Sequence, residues 1–237
     1  MTIAIFLAVL FASMTIGVPI AFALMLTALA LMVHLDFFDA QLLAQNVQAG
    51  FDSFPLLAVP FFILAGELMN AGGLSRRIID LARVFVGHIQ GGLGYVAIAA
   101  SVMLASMSGS AIADTAALAT LLLPMMRKHN YPDGSSAGLI ASGGIIAPII
   151  PPSMPMVIYG VTTNTSISKL FLAGIVPGIL MAAALVLVWR RISGKAVLPV
   201  AEKAPWSERR HALARSLWAL MLPVIIIGGL RFGFFTP

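Results

Sequence analysis

Cysteine is absent from all 237 residues, which excludes disulfides and thiolate metal sites. Charge is scarce too: 10% of the residues are Asp, Glu, Lys or Arg, against about 25% in an average soluble chain. That is too little to cover a water-exposed surface. The four histidines, His34, His88, His129 and His211, lie at or beyond the ends of apolar runs and never pair at ligand spacing, so no transition-metal site is expected. The net charge of +5 comes from short Lys and Arg clusters at the ends of apolar runs. A basic groove with interleaved aromatics is missing, which argues against nucleic acid as a partner.

What the chain has in excess is apolar sequence, 60% of its residues, with a mean hydropathy of +1.01. The apolar runs are long enough for lipid to be the expected solvent, so the expected fold is an all-α integral membrane protein. The first run, residues 1–33, is interrupted by Gly17-Val18-Pro19. At about 1.5 Å per residue it is long for one upright span and short for two; one tilted helix and two short ones both stay open. Ala21-Phe22-Ala23 looks like a signal-peptidase site, but no Lys or Arg precedes the apolar stretch, so a retained span is expected. Residues 34–53 form an acidic loop with Asp36, Asp39 and Asp52. Further spans are expected over 54–69, 170–189 and 217–230. Residues 74–89 differ. Ile78, Ala82, Phe85 and Ile89 recur at helical spacing, with Arg76, Arg77, Asp80 and Arg83 on the other side, so an amphipathic helix in the membrane interface is expected.

The 190–216 loop carries seven basic residues and two acidic ones, with Pro199 and Pro205 breaking any helix. By the positive-inside rule it is cytoplasmic. Counting back through the spans puts Arg127-Lys128 and the arginines of 74–89 inside and the acidic loop outside. Of the 14 basic residues only Lys169 and Arg231 then lie on the other side. Both ends of 92–126 must therefore face the cytoplasm, yet its 35 residues are short for two crossings of about 20 each plus a turn. A re-entrant helical hairpin with its tip at 106–115 is the economical solution.

That tip reads Ser106-Met107-Ser108-Gly109-Ser110-Ala111-Ile112-Ala113-Asp114-Thr115. A turn at membrane depth leaves carbonyls without partners, which is tolerable only where protein or a wet cavity surrounds them. Such carbonyls, with small hydroxyls beside them, suit a hard cation such as Na⁺. The second half-helix, starting near Ser110, points its N-terminus at the same place and favours an anionic group. The bland alternative is that Ser and Gly simply let helices pack closely. Asp114 either coordinates the cation or caps the returning helix. A second constellation lies in 135–159, where Pro148, Pro151, Pro152 and Pro155 delete amide donors. Either a kink or a broken helix satisfies that pattern. A true break exposes carbonyls opposite the hairpin tip and puts Ser153 at the start of the second half. Glu67, near the end of its span, is expected to reach the interface or pair with Arg76. An intramembrane serine protease built on Gly109-Ser110 would need a His on a neighbouring span, and no span contains one.

The string Phe54-Pro55-Leu56-Leu57-Ala58-Val59-Pro60-Phe61-Phe62-Ile63-Leu64-Ala65-Gly66-Glu67, the tip Ser108-Gly109-Ser110-Ala111-Ile112-Ala113-Asp114 and Pro148-Ile149-Ile150-Pro151-Pro152-Ser153 together resemble the large membrane subunit of tripartite ATP-independent periplasmic (TRAP) transporters. The resemblance runs over essentially the whole chain. It implies Na⁺-driven uptake of carboxylates, such as C4-dicarboxylates or sialic acid, across the bacterial inner membrane. It also implies a small four-helix membrane partner, a periplasmic substrate-binding protein and an elevator motion of a hairpin-bearing transport domain. Carried onto this chain, the expected ion-binding residues are Ser106, Ser108, Gly109, Ser110, Asp114, Pro148, Pro151 and Ser153. Ser110, Thr115 and Pro152 are candidates for substrate. Na⁺ is the expected coupling ion, with no organic cofactor and no enzymatic activity. The family's subunit is nearly twice as long and carries an inverted second repeat, so this chain is expected to be the N-terminal half. A permease subunit of another ion-coupled or ATPase-driven family is the remaining alternative.

Overall fold

The computed structural model describes residues 1–52, 56, 58–194 and 198–232, and all regular structure among them is α-helical. The chain divides into two compact units, Met1–Ser53 and Phe54–Pro237.

In the first unit, α1 (Thr2–Thr15) packs on α2 (Ile20–His34). The run left open in the sequence is thus two short helices. Gly17 sits at φ +88°, in the left-handed region, and Pro19 precedes α2. Each helix is only about 21–23 Å long, less than the ~30 Å hydrocarbon core. The acidic stretch is not all loop, because α3 (Ala40–Phe51) forms within it. Asp39 starts it, its carboxylate accepting from the N–H groups of Gln41 and Leu42 at 2.8 and 3.0 Å.

The second unit begins with α4 (Ala58–Ala71); the residues expected to open that span, Phe54, Pro55 and Leu57, lie outside the described ones. α5 (Leu74–Val86) is amphipathic, as its pattern predicts. Its apolar side, however, is covered by protein rather than lipid. Ile78, Ile79, Leu81 and Ala82 are buried, and α5 packs on α6 (Gly92–Ser108) and α11 (Trp206–Arg231). Burying each of the larger side chains is worth about 1.5–3 kcal/mol against water. Only Phe85 and Ile89 of the expected apolar stripe stay exposed.

α6 is the centre of this unit. It is apolar all round, with residues buried on every side, and contacts α4, α5, α7 (Ala111–Lys128), α8 (Asp133–Gly144), α10 (Ile167–Ser193) and α11. Its start is shaped around Trp189 of α10. The Trp189 indole donates to the Gly91 carbonyl at 2.9 Å and stacks on Tyr131 with 6.2 Å between centroids. A Cβ at Gly94 would run into that indole. Burial raises the pKa of Tyr131 above the ordinary phenol value, and a hydrogen bond from the Leu93 N–H partly offsets the shift.

The prolines of 135–159 make a full interruption. α8 ends at Gly144, α9 (Met154–Thr162) starts at Met154, and residues 145–153 between them run through turns. The expectation for 190–216 needs correction. α10 runs on to Ser193 and α11 begins at Trp206, so only the stretch between them is non-helical, with 195–197 outside the described residues. Pro205 does not break a helix there; it stands just before the first turn, where a missing N–H costs nothing. Among the described residues one helix, α10, is long and apolar enough to cross a bilayer. Only 17% of its most apolar stretch is buried, which calls for lipid or further protein over the rest.

Candidate functional site

The two helices flanking the polar tip meet at a two-residue corner. α6 closes at Ser108, Gly109 takes φ +61°, and Ser110 in extended conformation caps α7. The left-handed turn is why a glycine stands there. Ser110 Oγ accepts from the Ala113 N–H at 3.3 Å, so Ser110, and not Asp114, is the cap. Asp114 does something else. Its Oδ1 accepts from the Ser108 hydroxyl at 2.5 Å, and Ser108 Oγ in turn accepts from the Ser110 N–H at 3.1 Å. Asp114 is 2% exposed, and its Oδ2 has no partner. A buried carboxylate oxygen left without a donor or counter-ion is costly.

The proline-broken segment abuts this corner. A Cβ built on Gly109 would stand 2.9 Å from the Pro152 carbonyl oxygen and 3.2 Å from Ser153 Cα. Ser153, 1% exposed, caps α9 by accepting from Met156 N–H at 3.4 Å, and its hydroxyl donates to the Pro148 carbonyl at 2.6 Å. Pro151 and Pro152, joined by a cis peptide, are buried. Among the described residues, the carbonyls of Ser108, Gly109, Pro151 and Pro152 accept no hydrogen bond.

Not every residue singled out in the sequence belongs to this cluster in the same way. Ser106 turns back on its own helix, its hydroxyl donating to Met103 O at 2.7 Å. Thr115 faces α8, its hydroxyl filling the place a Cβ on Gly144 would take. Pro148 contributes through its carbonyl, already engaged by Ser153. The core of the constellation is therefore Ser108, Gly109, Ser110 and Asp114 on one side and Pro151, Pro152 and Ser153 on the other.

Glu67 is exposed and also approaches this cluster. Glu67 lines a small cavity of about 60 Å³ with Ile63, Gly66, Ser108, Ser110, Ala113 and Met154. Among the described residues the one ion pair is Arg127–Asp133, so the expected pairing of Glu67 with Arg76 is not formed. A signal was present: Ile63, Gly66 and Glu67 share a helix face at i, i+3 and i+4, and a glycine beside a carboxylate allows close approach. Gly66 does so here, a Cβ there lying 3.8 Å from Ser108 Cβ.

Among the described residues no three His, Asp or Glu side chains come together. What the corner offers a cation is oxygen from hydroxyls, one buried carboxylate and unengaged carbonyls. Such a donor set suits a hard ion and not a transition metal.

Among the described residues the regular structure is all helical, with broad exposed apolar surface and two interrupted helices adjoining around a buried acid, which is the architecture of helical membrane proteins with broken helices. The comparisons narrow this. The profile of the family described as "Tripartite ATP-independent periplasmic transporter, DctM component" matches residues 7–237, and the chain belongs to that family of membrane proteins. It is 58% identical over its full 237 residues to the 2,3-diketo-L-gulonate TRAP transporter large permease protein YiaN of Escherichia coli K12, of which it covers 56%. It is 45% identical over 221 residues, 93% of this chain and 52% of the relative, to the sialic acid TRAP transporter large permease protein SiaM of Vibrio cholerae. A C4-dicarboxylate TRAP transporter large permease protein of Pseudomonas aeruginosa is 40% identical over 186 residues, 78% of this chain and 44% of the relative. The chain thus spans about half the length of the curated relatives it matches.

Proposed function

We propose that this chain supplies the first ion-binding half of the large permease subunit of a Na⁺-coupled TRAP transporter in the bacterial inner membrane. Na⁺ binds between the hairpin corner Ser108–Gly109–Ser110 with Asp114 and the broken segment Pro151–Pro152–Ser153. The observation that carries this reading is the close approach of Gly109 to Pro152 beside the unpartnered Oδ2 of Asp114. The cargo is a carboxylate, the group shared by 2,3-diketo-L-gulonate, sialic acid and the C4-dicarboxylates in the names of the relatives. The N-terminus of α7 at Ser110 offers such a group a positive dipole end, with Pro152 across the corner and Thr115 in the first turns of α7 on the side of α8. A periplasmic binding protein delivers the substrate, and a small four-helix membrane subunit and the second repeat complete the transporter. α6 and α7 form the re-entrant hairpin, which moves with its domain in an elevator cycle. No step of this cycle makes or breaks a covalent bond.

The test is uptake into vesicles by the assembled transporter. Accumulation is expected to follow an imposed Na⁺ gradient and to vanish when K⁺ replaces Na⁺, with ATP having no effect; uptake indifferent to that exchange overturns the proposal. The topology has its own check. The chain has no native cysteine, so single cysteines at Gln90 and Lys128, both exposed, can be labelled without background. Both are expected to react from the cytoplasmic side, and labelling from opposite sides would exclude the re-entrant hairpin.

A further inference from the structure

A second cavity, about 1090 Å³, opens between α5, the first half of α11, residues 199–205 and the end of α7 with His129 and Tyr131. Two contacts set the register of its walls. The Ser216 hydroxyl donates to the Arg77 carbonyl at 3.3 Å, and the Arg209 guanidinium lies 5.8 Å above the Phe85 ring. α5 and α11 are therefore antiparallel, with Arg77 level with Ser216 and Phe85 level with Arg209. Arg77 and Arg215 both line the cavity, at the end where Ser216 meets the Arg77 carbonyl. Asp80 follows on the next turn of α5, about 5 Å along. Arg83, Glu208 and His211 come after it, and Glu202 and Lys203 reach in from the segment leading into α11.

The lining thus holds charges of both signs, and among the described residues none of them is paired, Arg127–Asp133 being elsewhere. The arginine end also coincides with a change in α11. Residues 206–215 carry Glu208, Arg209, Arg210 and Arg215, whereas 216–229 carry no charge at all. Trp218, 82% exposed, stands just beyond that boundary, where an indole anchors at the level of lipid head groups. Two arginines at the border between charged and apolar surface sit where phosphates lie in a bilayer, and unpaired carboxylates beside them suit a cationic group one turn further out.

We propose that this cavity binds the head group of a membrane phospholipid carrying both phosphate and amine, the phosphate between Arg77 and Arg215 and the amine toward Asp80. The acyl chains leave along the apolar half of α11. Lipid in this position wedges α5 against α11 and so ties the amphipathic helix to the membrane. The inference rests on membrane embedding alone and is independent of the cation reading.

Native mass spectrometry of the intact permease, with lipids added to the detergent-purified protein, tests it. Phosphatidylethanolamine is expected to be retained in preference to phosphatidylglycerol. The R77Q/R215Q variant is expected to hold at least tenfold less of either, since both charge-assisted contacts to the phosphate are lost. R77K/R215K keeps the charges and should retain lipid, which separates a lost site from a misfolded protein. D80N should bind both lipids about equally. Unchanged retention in R77Q/R215Q overturns the proposal, as does a preference for phosphatidylglycerol in the unaltered protein. So does displacement of lipid by millimolar inorganic phosphate, which would mark a site for a soluble anion.

Discussion

Asp114→Asn is expected to lower Na⁺-driven uptake by about a hundredfold while leaving insertion and folding intact, since one charge contact with a bound cation at an effective dielectric near 20 is worth a few kcal/mol. Ser108 satisfies Oδ1, nothing satisfies Oδ2, and almost none of the side chain is exposed. Such a group is expensive to bury unless something positive joins it. Asn has the same shape and can still accept from Ser108, so the corner keeps its geometry and loses only its charge. The two roles open to Asp114 then predict opposite results. Were it merely a structural acid, the neutral isostere would stabilise the protein and leave the Na⁺ dependence of uptake alone. As a cation ligand, it makes Na⁺ raise the unfolding temperature of the unaltered protein by mass action, and Asn removes that increment. Uptake at matched membrane levels and melting with and without Na⁺ decide the matter. An unshifted Na⁺ midpoint in Asp114→Asn would dismiss the carboxylate from the site.

The parts of this arrangement that could be read from residues alone are those set by local backbone chemistry. A polar, glycine-containing stretch between two apolar runs marks the corner at 108–110, and four prolines within eight residues mark the break at 145–153. The charged and apolar sides of 74–86 likewise follow from helical spacing. What could not be read depends on long-range packing. Nothing near Asp114 in sequence says that Ser108 reaches it across the corner while Ser110 takes the capping position. The protein cover over Ile78 comes from α6 and from α11, well over a hundred residues away. Glu67 follows the same logic: of its two expected states, reaching the interface or pairing with Arg76, the pair is not formed and the side chain is exposed, while the helix face it shares with Gly66 meets the hairpin. A proline stops a helix that precedes it and suits the start of one that follows, so Pro205 by itself does not say on which side α11 lies.

Substitution of Gly109 should also be damaging, by a different route. The residue sits at φ +61°, where a side chain costs about 1–2 kcal/mol in backbone strain. The same side chain would also press on the broken segment, its Cβ 2.9 Å from the Pro152 oxygen, closer than real Cβ atoms are found to oxygen. Backbone cannot swing aside as a flexible side chain can, so the corner and the break must separate by a few tenths of an ångström. For a cation held by oxygens from both, that separation matters more than the strain. Gly109→Ala is accordingly expected to cost about 1–3 kcal/mol in stability and to reduce Na⁺-driven uptake at least tenfold. Gly109→Asn divides the two contributions. Asn tolerates the left-handed region far better than Ala, so it relieves the strain, yet it carries the same Cβ. If the contact with Pro152 is what counts, Asn should recover part of the melting temperature and none of the transport. Recovery of both in Gly109→Asn would mean that only the turn needs its glycine, and the close approach of the two interruptions would no longer explain how an ion is held.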